Sequence, residues 1–495
     1  MIRPLFPTTL RQMKTLLPAL FALILGSPPS TQAADGPLRV LFLGHESQHH
    51  NSAAYVPLLM QDLGREAIFF DYYTRPDCLN PETLADYDAV MLYANHGELK
   101  PDQFQALNAF VESGKGFLPV HCASACFGNE PRFIALVGGR FKSHQTGVFK
   151  ATIVDKEHPI LQGVAEYETW DETYVHDQIN AQGRHLLMER VEGDHREPWA
   201  WTRDQGKGRV FYTASGHDER TWQNPDFRKM LRNAIVWSVG DNRRDAWQSF
   251  LANREPEIRE PHPQVANYEK RPEPLTFQKP FSVKGSLERI QVPADCRVEL
   301  FASDPDIGKP IALAWDTRGR CWVAETSDYP HGVKPDGVGS DRIKICEDTD
   351  GDGKADKFTV FADGLNIPTG LVFANGGLIV SQPPRFLFLK DTDGDDKADV
   401  REDLITGWGI GDTHAQASNL HFGHDNWLQG AVGYSAFEGK VGGKDLSFRM
   451  GTYRFRSDGS ALEFLHQFTN NTWAQSQNDA GDNFGGTANG APSQP

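Results

Sequence analysis

The sequence predicts a doubly wound α/β domain over residues 35–240, followed by an all-β partial propeller over residues 287–495. Three observations carry this reading. Short apolar runs alternate with stretches of helical spacing up to about residue 240; beyond 287 the helical spacing vanishes and strands are punctuated by Asp/Gly turns; and an acidic segment recurs there almost unchanged. In the first region, residues 38–44, 67–73, 88–94 and 116–122 are short, mostly apolar runs that read as buried strands. Residues 51–66 and 101–113 carry apolar positions at helical spacing, and the second opens on Pro101, a favoured first-turn residue. A further helix is expected over 125–137, a last strand over 208–215 and a last helix over 225–239. Strand and helix alternating through short loops give a mainly parallel sheet. Residues 241–286 hold Pro256, Pro261, Pro263, Pro272, Pro274 and Pro280 among charges, the composition of a semi-rigid linker, with one short helix expected at 245–253.

In the second region hairpin-like units begin at Trp315, Phe373 and Phe422, spaced 58 and 49 residues apart, with a weaker one at 478–484. That spacing is close to the repeat of about 40–50 residues of propeller blades. The segment Asp348-Thr-Asp-Gly-Asp-Gly-Lys-Ala-Asp356 returns 43 residues later as Asp391-Thr-Asp-Gly-Asp-Asp-Lys-Ala-Asp399. A β-sandwich is the alternative. The region has room for about three to four blades where closed rings take about 4 to 8, so the propeller is expected to be partial.

Hydrophobic residues make up 39% and charged residues 23% of the 495 residues, which excludes global disorder and fibrous folds. A formal charge of −16 opposes nonspecific binding to nucleic acid or to an anionic membrane. Arg3, Arg11 and Lys14 precede an apolar run over 16–25 and small residues up to Ala33 and Ala34. This is the order of a secretory signal peptide, assigned to 1–34 with cleavage near Ala33, so the protein is expected to be periplasmic or secreted. The run is shorter than the roughly 20 residues of a membrane span, and no later segment supplies one. Six cysteines are too sparse for a disulfide scaffold, and no CxxCH haem-attachment motif is present.

Four histidines fall at the carboxyl ends of predicted strands: His45, His96, His121 and His217. In open parallel sheets ligands bind beyond those ends, so the four are expected to converge on one crevice as proton-transfer groups or metal ligands, against the alternative of scattered structural histidines. Cys122 follows a strand at an elbow, where it reads as a nucleophile or as a small buried residue. The cluster from Trp170 through Asp171, Glu172 and Tyr174 to His176 suits a polyhydroxylated ligand, Trp170 stacking on a sugar face and Asp171 or Glu172 acting as base; a polar surface loop is the bland alternative. His144 and His158 are lesser loop candidates. Asp348, Asp350, Asp352 and Asp356 stand at positions 1, 3, 5 and 9 of a calcium-loop rhythm, repeated by Asp391, Asp393, Asp395 and Asp399. Neither copy completes it: Thr359 replaces the last Glu of the first, and Asp396 replaces the Gly of the second. Calcium is the expected ion, against solvated hairpin tips.

Gly44-His45, Pro119-Val-His-Cys-Ala123, Glu157-His-Pro159, Trp170-Asp-Glu-Thr-Tyr174, Gly206-Lys-Gly-Arg-Val-Phe-Tyr212 and Gly216-His217 together resemble the ThuA-like (trehalose utilisation) family. The resemblance implies a class I glutamine-amidotransferase-like, flavodoxin-like fold and a link to sugar metabolism, with trehalose and oxidised, keto-type sugars as substrates. His121 fills the elbow position of the amidotransferase cysteine, which argues against a glutaminase. The repeated acidic segment, Gly364-Leu-Asn-Ile-Pro-Thr-Gly370 and Asp412-Thr-His414 resemble the propeller of large secreted planctomycete and verrucomicrobial proteins, themselves similar to quinone-dependent sugar dehydrogenases. Without CxxCH a c-type haem is excluded, and an incomplete ring argues against a working quinone site. The sequence therefore leads to an exported carbohydrate-processing protein performing acid/base chemistry on a sugar or keto-sugar, isomerisation or hydrolysis. His121, His45, His217, Asp171 and Glu172 are its candidate catalytic residues; His96, Trp170, Tyr174 and His144 would bind substrate. A noncatalytic glycan-binding module and a metal-dependent hydrolase remain the alternatives.

Overall fold

The computed structural model describes residues 35–488 except 46, 48, 181, 263–266, 268, 269 and 335. The expected signal peptide lies outside the described residues. The chain divides into two compact units, the first ending at Arg297 and the second beginning at Val298.

The first unit is built on a nine-stranded sheet. Its parallel part takes β1 (Leu38–Leu43), β2 (Ile68–Tyr73), β3 (Ala89–Leu92) and β4 (Gly116–Pro119) in the order 2-1-3-4. Leu38 faces Ile68, Val40 faces Ala89, and Ala89 faces Gly116, so the apolar runs lie side by side with nearly every residue buried. Three helices cross between them: α1 (Ser52–Gly64), the single turn α2 (Pro81–Leu84) and α3 (Pro101–Glu112). Asn51 and Asn80 cap the first two at their amino ends, and at the third Gln103 Oε1 accepts the Lys100 backbone N–H at 2.9 Å. The order of the strands reverses between β1 and β3, the point beyond which ligands generally bind in open parallel sheets.

The expected helix over 125–137 is shorter than the spacing suggested. Residues His121–Ala125 form a 3-10 turn, Phe127 takes a left-handed φ of 55°, and α4 runs only over Pro131–Val137, with Glu130 as its cap. From there the expectation of a mainly parallel sheet gives way to a mixed one. The small pair β5 (Arg140–Ser143) and β8 (Val175–Asp177) stands apart, while β6 (Thr146–Ile153), β7 (Glu168–Glu172), β9 (Arg184–Glu192) and β10 (His195–Gln205) extend the sheet antiparallel. They join it through β11 (Gly208–Thr213), which lies parallel to β4. β10 and β11 form a hairpin in which Trp199, Trp201, Phe211 and Tyr212 are fully buried, Phe211 and Tyr212 on opposite faces of the sheet.

The short α5 (Glu219–Gln223) leads into α6 (Pro225–Ser238), which buries Phe227, Met230, Leu231, Ala234 and Ile235 at helical spacing against the sheet. The segment expected to be a linker from 241 opens with α7 (Asp241–Asn253), an integral part of the first unit. Trp247 is buried there and its Nε1–H donates to the Glu66 carbonyl at 2.9 Å, while Arg243 pairs with Asp88 at 2.8 Å. The hairpin β12 (Arg259–Pro261) with β13 (Thr276–Gln278) and the turn α8 (Val283–Leu287) follow. Gln291 and Ala294 then bond back to β2, which carries the unit to 297. Among the described residues no helix is long and apolar enough to cross a membrane.

The second unit is all-β. It consists of a four-stranded antiparallel sheet of β14 (Pro310–Trp315), β15 (Cys321–Glu325), β16 (Asp341–Glu347) and β17 (Lys357–Leu365), and then a second of β18 (Gly370–Ala374), β19 (Gly377–Gln382), β20 (Arg385–Lys390) and β21 (Val400–Thr406). The third sheet joins β22 (Ser418–Phe422), β23 (Leu428–Val432), β26 (Gly451–Phe455) and β27 (Leu462–Gln467), with the hairpin β24 (Phe437–Val441) and β25 (Lys444–Phe448) inserted; β28 (Thr472–Gln477) and β29 (Asn483–Thr487) form a last pair. The hairpin units read from the sequence are the first turns of these successive sheets, and the two acidic segments link the third strand to the fourth in the first two. Trp322, Phe361 and Phe373 pack edge to face between the first two sheets, and farther on Trp408 stacks on Phe386 and tilts against Tyr453. Among the described residues these sheets form no closed ring.

Candidate functional site

The carboxyl ends of β1, β4, β7 and β11 bring together His50, His121, Glu172 and His217, whose ligand-capable atoms lie within 4.8 Å of one another. His45 and His96 border this group, with ring centroids 5.7 Å apart, and His45 stacks on His50 at 5.9 Å. Each position follows from the chain around it. Gly44 lets the chain turn sharply out of β1, because a Cβ there would fall 2.5 Å from the Ser52 hydroxyl. That hydroxyl holds the His45 backbone, accepting its N–H at 3.0 Å and donating to its carbonyl at 2.8 Å, and so sets the loop carrying His50 onto the start of α1.

His121 occupies the elbow after β4 with a left-handed φ of 50°, a conformation that costs a non-glycine residue about 1–2 kcal/mol. Its side chain is fully buried. Nδ1 lies 2.7 Å from the Ala214 carbonyl oxygen and Nε2 lies 3.2 Å from Glu172 Oε2. Tyr174 covers the ring at 4.1 Å, and Phe141 packs on Tyr174. Beneath the elbow, Tyr212 OH reaches Ser124 Oγ at 2.9 Å and the His121 carbonyl at 3.2 Å, and its far side meets His176 Nε2, whose Nδ1 is paired with Glu197 at 2.8 Å.

Glu172 is the hub. Its Oε1 lies 3.3 Å from His217 Nδ1 and 3.4 Å from His144 Nδ1, in addition to the His121 contact through Oε2. Burial alone would raise its pKa, but the His121 hydrogen bond and the surrounding imidazoles hold it below its ordinary value. The neighbouring imidazoles are lowered as well, which for them favours the neutral form. Burial and the neighbouring His121 and His217 push His50 down to about 3. Burial likewise lowers His45, where His96 adds to the effect, as well as His96 and His217. Near neutral pH these rings are neutral and their lone pairs are available as ligands or bases.

The other expected residues take distinct places. Asp171, the neighbour of Glu172, is fully buried and accepts four hydrogen bonds, from the backbone N–H groups of Glu172, Gly216 and His217 and from Thr221 Oγ1, at 2.8–2.9 Å. With both oxygens so engaged it positions the His217 loop and has no free lone pair for the base role expected of it. Trp170 is half-buried with the Arg220 guanidinium 4.4 Å over its ring. Tyr174 is buried against His121, so it is part of the wall. His96 bonds the Gly44 carbonyl through Nε2 at 3.0 Å, and His144 stands at the rim with its side chain 40% exposed. His158 caps a 3-10 turn away from the cluster, its Nδ1 accepting the Ile160 N–H. Cys122 is fully buried, and burial pushes its thiol well above its ordinary value, which favours the reading of a small buried residue over a thiolate nucleophile. The residue that sequence reasoning missed is His50. It lies inside a loop, seven residues beyond the strand end at Leu43, and the cap residue Asn51 next to it was the one available signal that the loop folds back there.

In the second unit, Asp348, Asp350 and Asp352 come together, as do Asp391, Asp393 and Asp399. Asp356 instead accepts from Thr349, and Asp395 lies 3.6 Å from Lys397. Asp396, which replaces the expected glycine, adopts the left-handed φ of 63° that the glycine would have supplied and is held by Arg318 and Arg320.

The first unit is thus an α/β domain whose sheet carries a buried cluster of histidines and a glutamate at the carboxyl ends of its strands. Residues 39–238 match the profile of the trehalose utilisation (ThuA) family, and residues 282–494 match that of a domain of unknown function (DUF7133). The second match carries no dehydrogenase assignment. No curated protein matches the chain. Among solved structures, a ThuA-like protein of Bacteroides uniformis is 18% identical, with 43% of this chain covering 95% of that one at a TM-score of 0.36. A ThuA-like protein of Parabacteroides merdae is also 18% identical, with 41% covering 90% at 0.36. A cytoplasmic protein of Salmonella typhimurium LT2 is 19% identical, with 43% covering 99% at 0.31.

Proposed function

We propose that the first unit is a carbohydrate-processing enzyme domain that isomerises or hydrolyses a sugar derivative bearing a carbonyl group. The match to the trehalose utilisation family supports a carbohydrate-related role in general terms. The single observation that favours catalysis is Glu172, a carboxylate kept ionised in a buried pocket by three imidazoles, an arrangement that stability alone does not call for. His50, His121, His217 and Glu172 would bind the sugar hydroxyl groups, whose hydrogens their lone pairs accept. His45 and His144 at the rim would move the proton. His45 Nδ1 accepts the Asn95 N–H at 3.3 Å, so the neutral ring carries its hydrogen on Nε2, an atom with no partner among the described residues and available to donate.

The test is turnover of trehalose and of 3-keto-glycosides by the whole protein and by His45→Ala and Glu172→Gln. The expected result is turnover of the keto-sugar by the wild type, lost by a factor of about 100 or more in each variant. Binding without turnover in the wild type would overturn the enzymatic reading in favour of a glycan-binding module. The same proposal includes export through the leader at 1–34, calcium at the acidic loops of the second unit, and an incomplete propeller as the architecture of its successive sheets.

A further inference from the structure

We infer that the first unit holds one divalent first-row transition metal ion, bound by His50, His121, His217 and Glu172. The inference stands on donor geometry and not on the substrate reading above. It starts from the tautomer of His121. Nδ1 is 2.7 Å from the Ala214 carbonyl oxygen, which can only accept, so Nδ1 carries the hydrogen and the neutral ring has its lone pair on Nε2. That lone pair faces a carboxylate oxygen of Glu172 at 3.2 Å. Two electron-rich atoms at this distance require a positive centre between them, either a proton or a cation.

The surroundings favour the cation. The other Glu172 oxygen faces His217 Nδ1 at 3.3 Å, and His217 Nδ1 makes no hydrogen bond among the described residues. His50, only 8% exposed, adds a third imidazole whose Nε2 is buried without a hydrogen-bond partner among the described residues, its ring centroid 5.3 Å from those of both His121 and His217. One proton satisfies one pair; it leaves the remaining nitrogens unpaired. One ion satisfies all four. Ligand bonds of about 2.0–2.2 Å place neighbouring ligand atoms about 3.0–3.5 Å apart, the range of the two glutamate contacts. The supporting bonds are also those of a metal site, since the ligand His121 donates its other N–H to a backbone carbonyl and Asp171 anchors the backbone of the ligand His217. Three imidazoles and one carboxylate select zinc or iron(II) over magnesium or calcium, which prefer all-oxygen sites. Such an ion would serve as a Lewis acid towards a substrate oxygen, with the half-buried His217 on the open side.

The test uses the whole protein, stripped with a chelator and titrated with Zn2+ and with Co2+, whose visible absorption reports nitrogen-rich coordination. The expected result is one ion per chain with a cobalt spectrum of low-symmetry nitrogen and oxygen ligation, and a loss of affinity by a factor of at least about 100 in His50→Ala, His217→Ala and Glu172→Gln. Asp348→Asn with Asp391→Asn serves as a control that should leave this binding unchanged. His217 is half-buried, so His217→Ala retains the fold by circular dichroism even if His50→Ala does not. Failure of the stripped wild type to take up Zn2+ or Co2+ overturns the inference, as does undiminished binding by folded His217→Ala and Glu172→Gln. A chain that binds the metal but turns over no sugar keeps this inference and loses the proposed function.

Discussion

Replacing Asp171 by asparagine conserves volume and removes one charge, so its effect isolates what the carboxylate does. The four donors divide between two oxygens: Glu172 and His217 N–H on Oδ1, Gly216 N–H and Thr221 Oγ1 on Oδ2. An asparagine best keeps its oxygen at the Oδ1 position, since the flipped amide would meet two N–H donors there instead of one. The Thr221 hydroxyl can turn and accept, but the Gly216 N–H then faces an NH2 group. A hydrogen bond to a buried charged group contributes about 1.5–3 kcal/mol, and a buried N–H left without an acceptor costs about 1–3 kcal/mol, so Asp171→Asn is expected to destabilise the first unit by about 3–5 kcal/mol. For a unit of this size that is a fall of about 6–15 °C in Tm. Calorimetry on the whole protein measures it, with Thr221→Val as the milder companion at about 1–2 kcal/mol. Loosening of the His217 backbone is also expected to weaken Zn2+ binding by a factor of about 10–100. A fall in Tm of less than about 3 °C in a folded Asp171→Asn would refute the positioning role and return Asp171 to the catalytic candidates.

Trp247→Ala is expected to destabilise the first unit by about 3–5 kcal/mol in denaturant unfolding, because α7 packs through that indole, whereas the 61% exposed Trp315 changes stability by less than about 0.5 kcal/mol when truncated. Burial, with His185 close by, holds His158 below its ordinary value of 6.5, so the folded protein binds fewer protons there than the unfolded chain does. That contribution to stability is full above pH 6.5 and declines as the pH falls below it; His158→Asn, which can retain the cap on Ile160, should flatten this slope in acid unfolding series. If the acidic loops hold calcium, Ca2+ at about 100 times its Kd adds about 2.7 kcal/mol per site to the second unit, and Asp350→Asn or Asp393→Asn removes part of the gain. An unchanged unfolding temperature in the wild type counts against calcium.

The parallel core was legible because burial on both faces leaves an unbroken apolar run, as in residues 40–43 and 89–92. The strands β9 and β10 were hidden for the complementary reason. Arg184, His185, Glu189, Arg190 and Glu192 interrupt β9, and its pairing to β10 rests on cross-strand contacts that no local periodicity announces. The linker reading of 241–253 failed on Trp247, a single buried anchor in an otherwise polar helix. In the site, His45, His96, His121 and His217 were visible as strand-end residues, a rule tied to chain topology. His50 was not, because its position is set by the Gly44 and Ser52 packing that folds its loop back, a tertiary fact.

The pair Asp171 and Glu172 shows how finely that tertiary information divides roles. In sequence they are two acids side by side and exchangeable as the base. In β7 the pleat sends them to opposite faces, so Asp171 meets the backbone of the 216–217 turn and Glu172 meets the imidazoles. A register slip of one residue between β6 and β7 would exchange the two. Their register is fixed by pairs such as Gly147 with Asp171 and Thr146 with Glu172. It follows that the double swap Asp171→Glu with Glu172→Asp, which conserves composition and net charge, should lose metal binding and stability together. The longer side chain would crowd the turn that Asp171 holds, while the shorter one would withdraw from His121 and His217 by about a methylene length. A swapped protein that still bound Zn2+ as the wild type does would show that charge at this strand end, and not the placement of each carboxylate, defines the site.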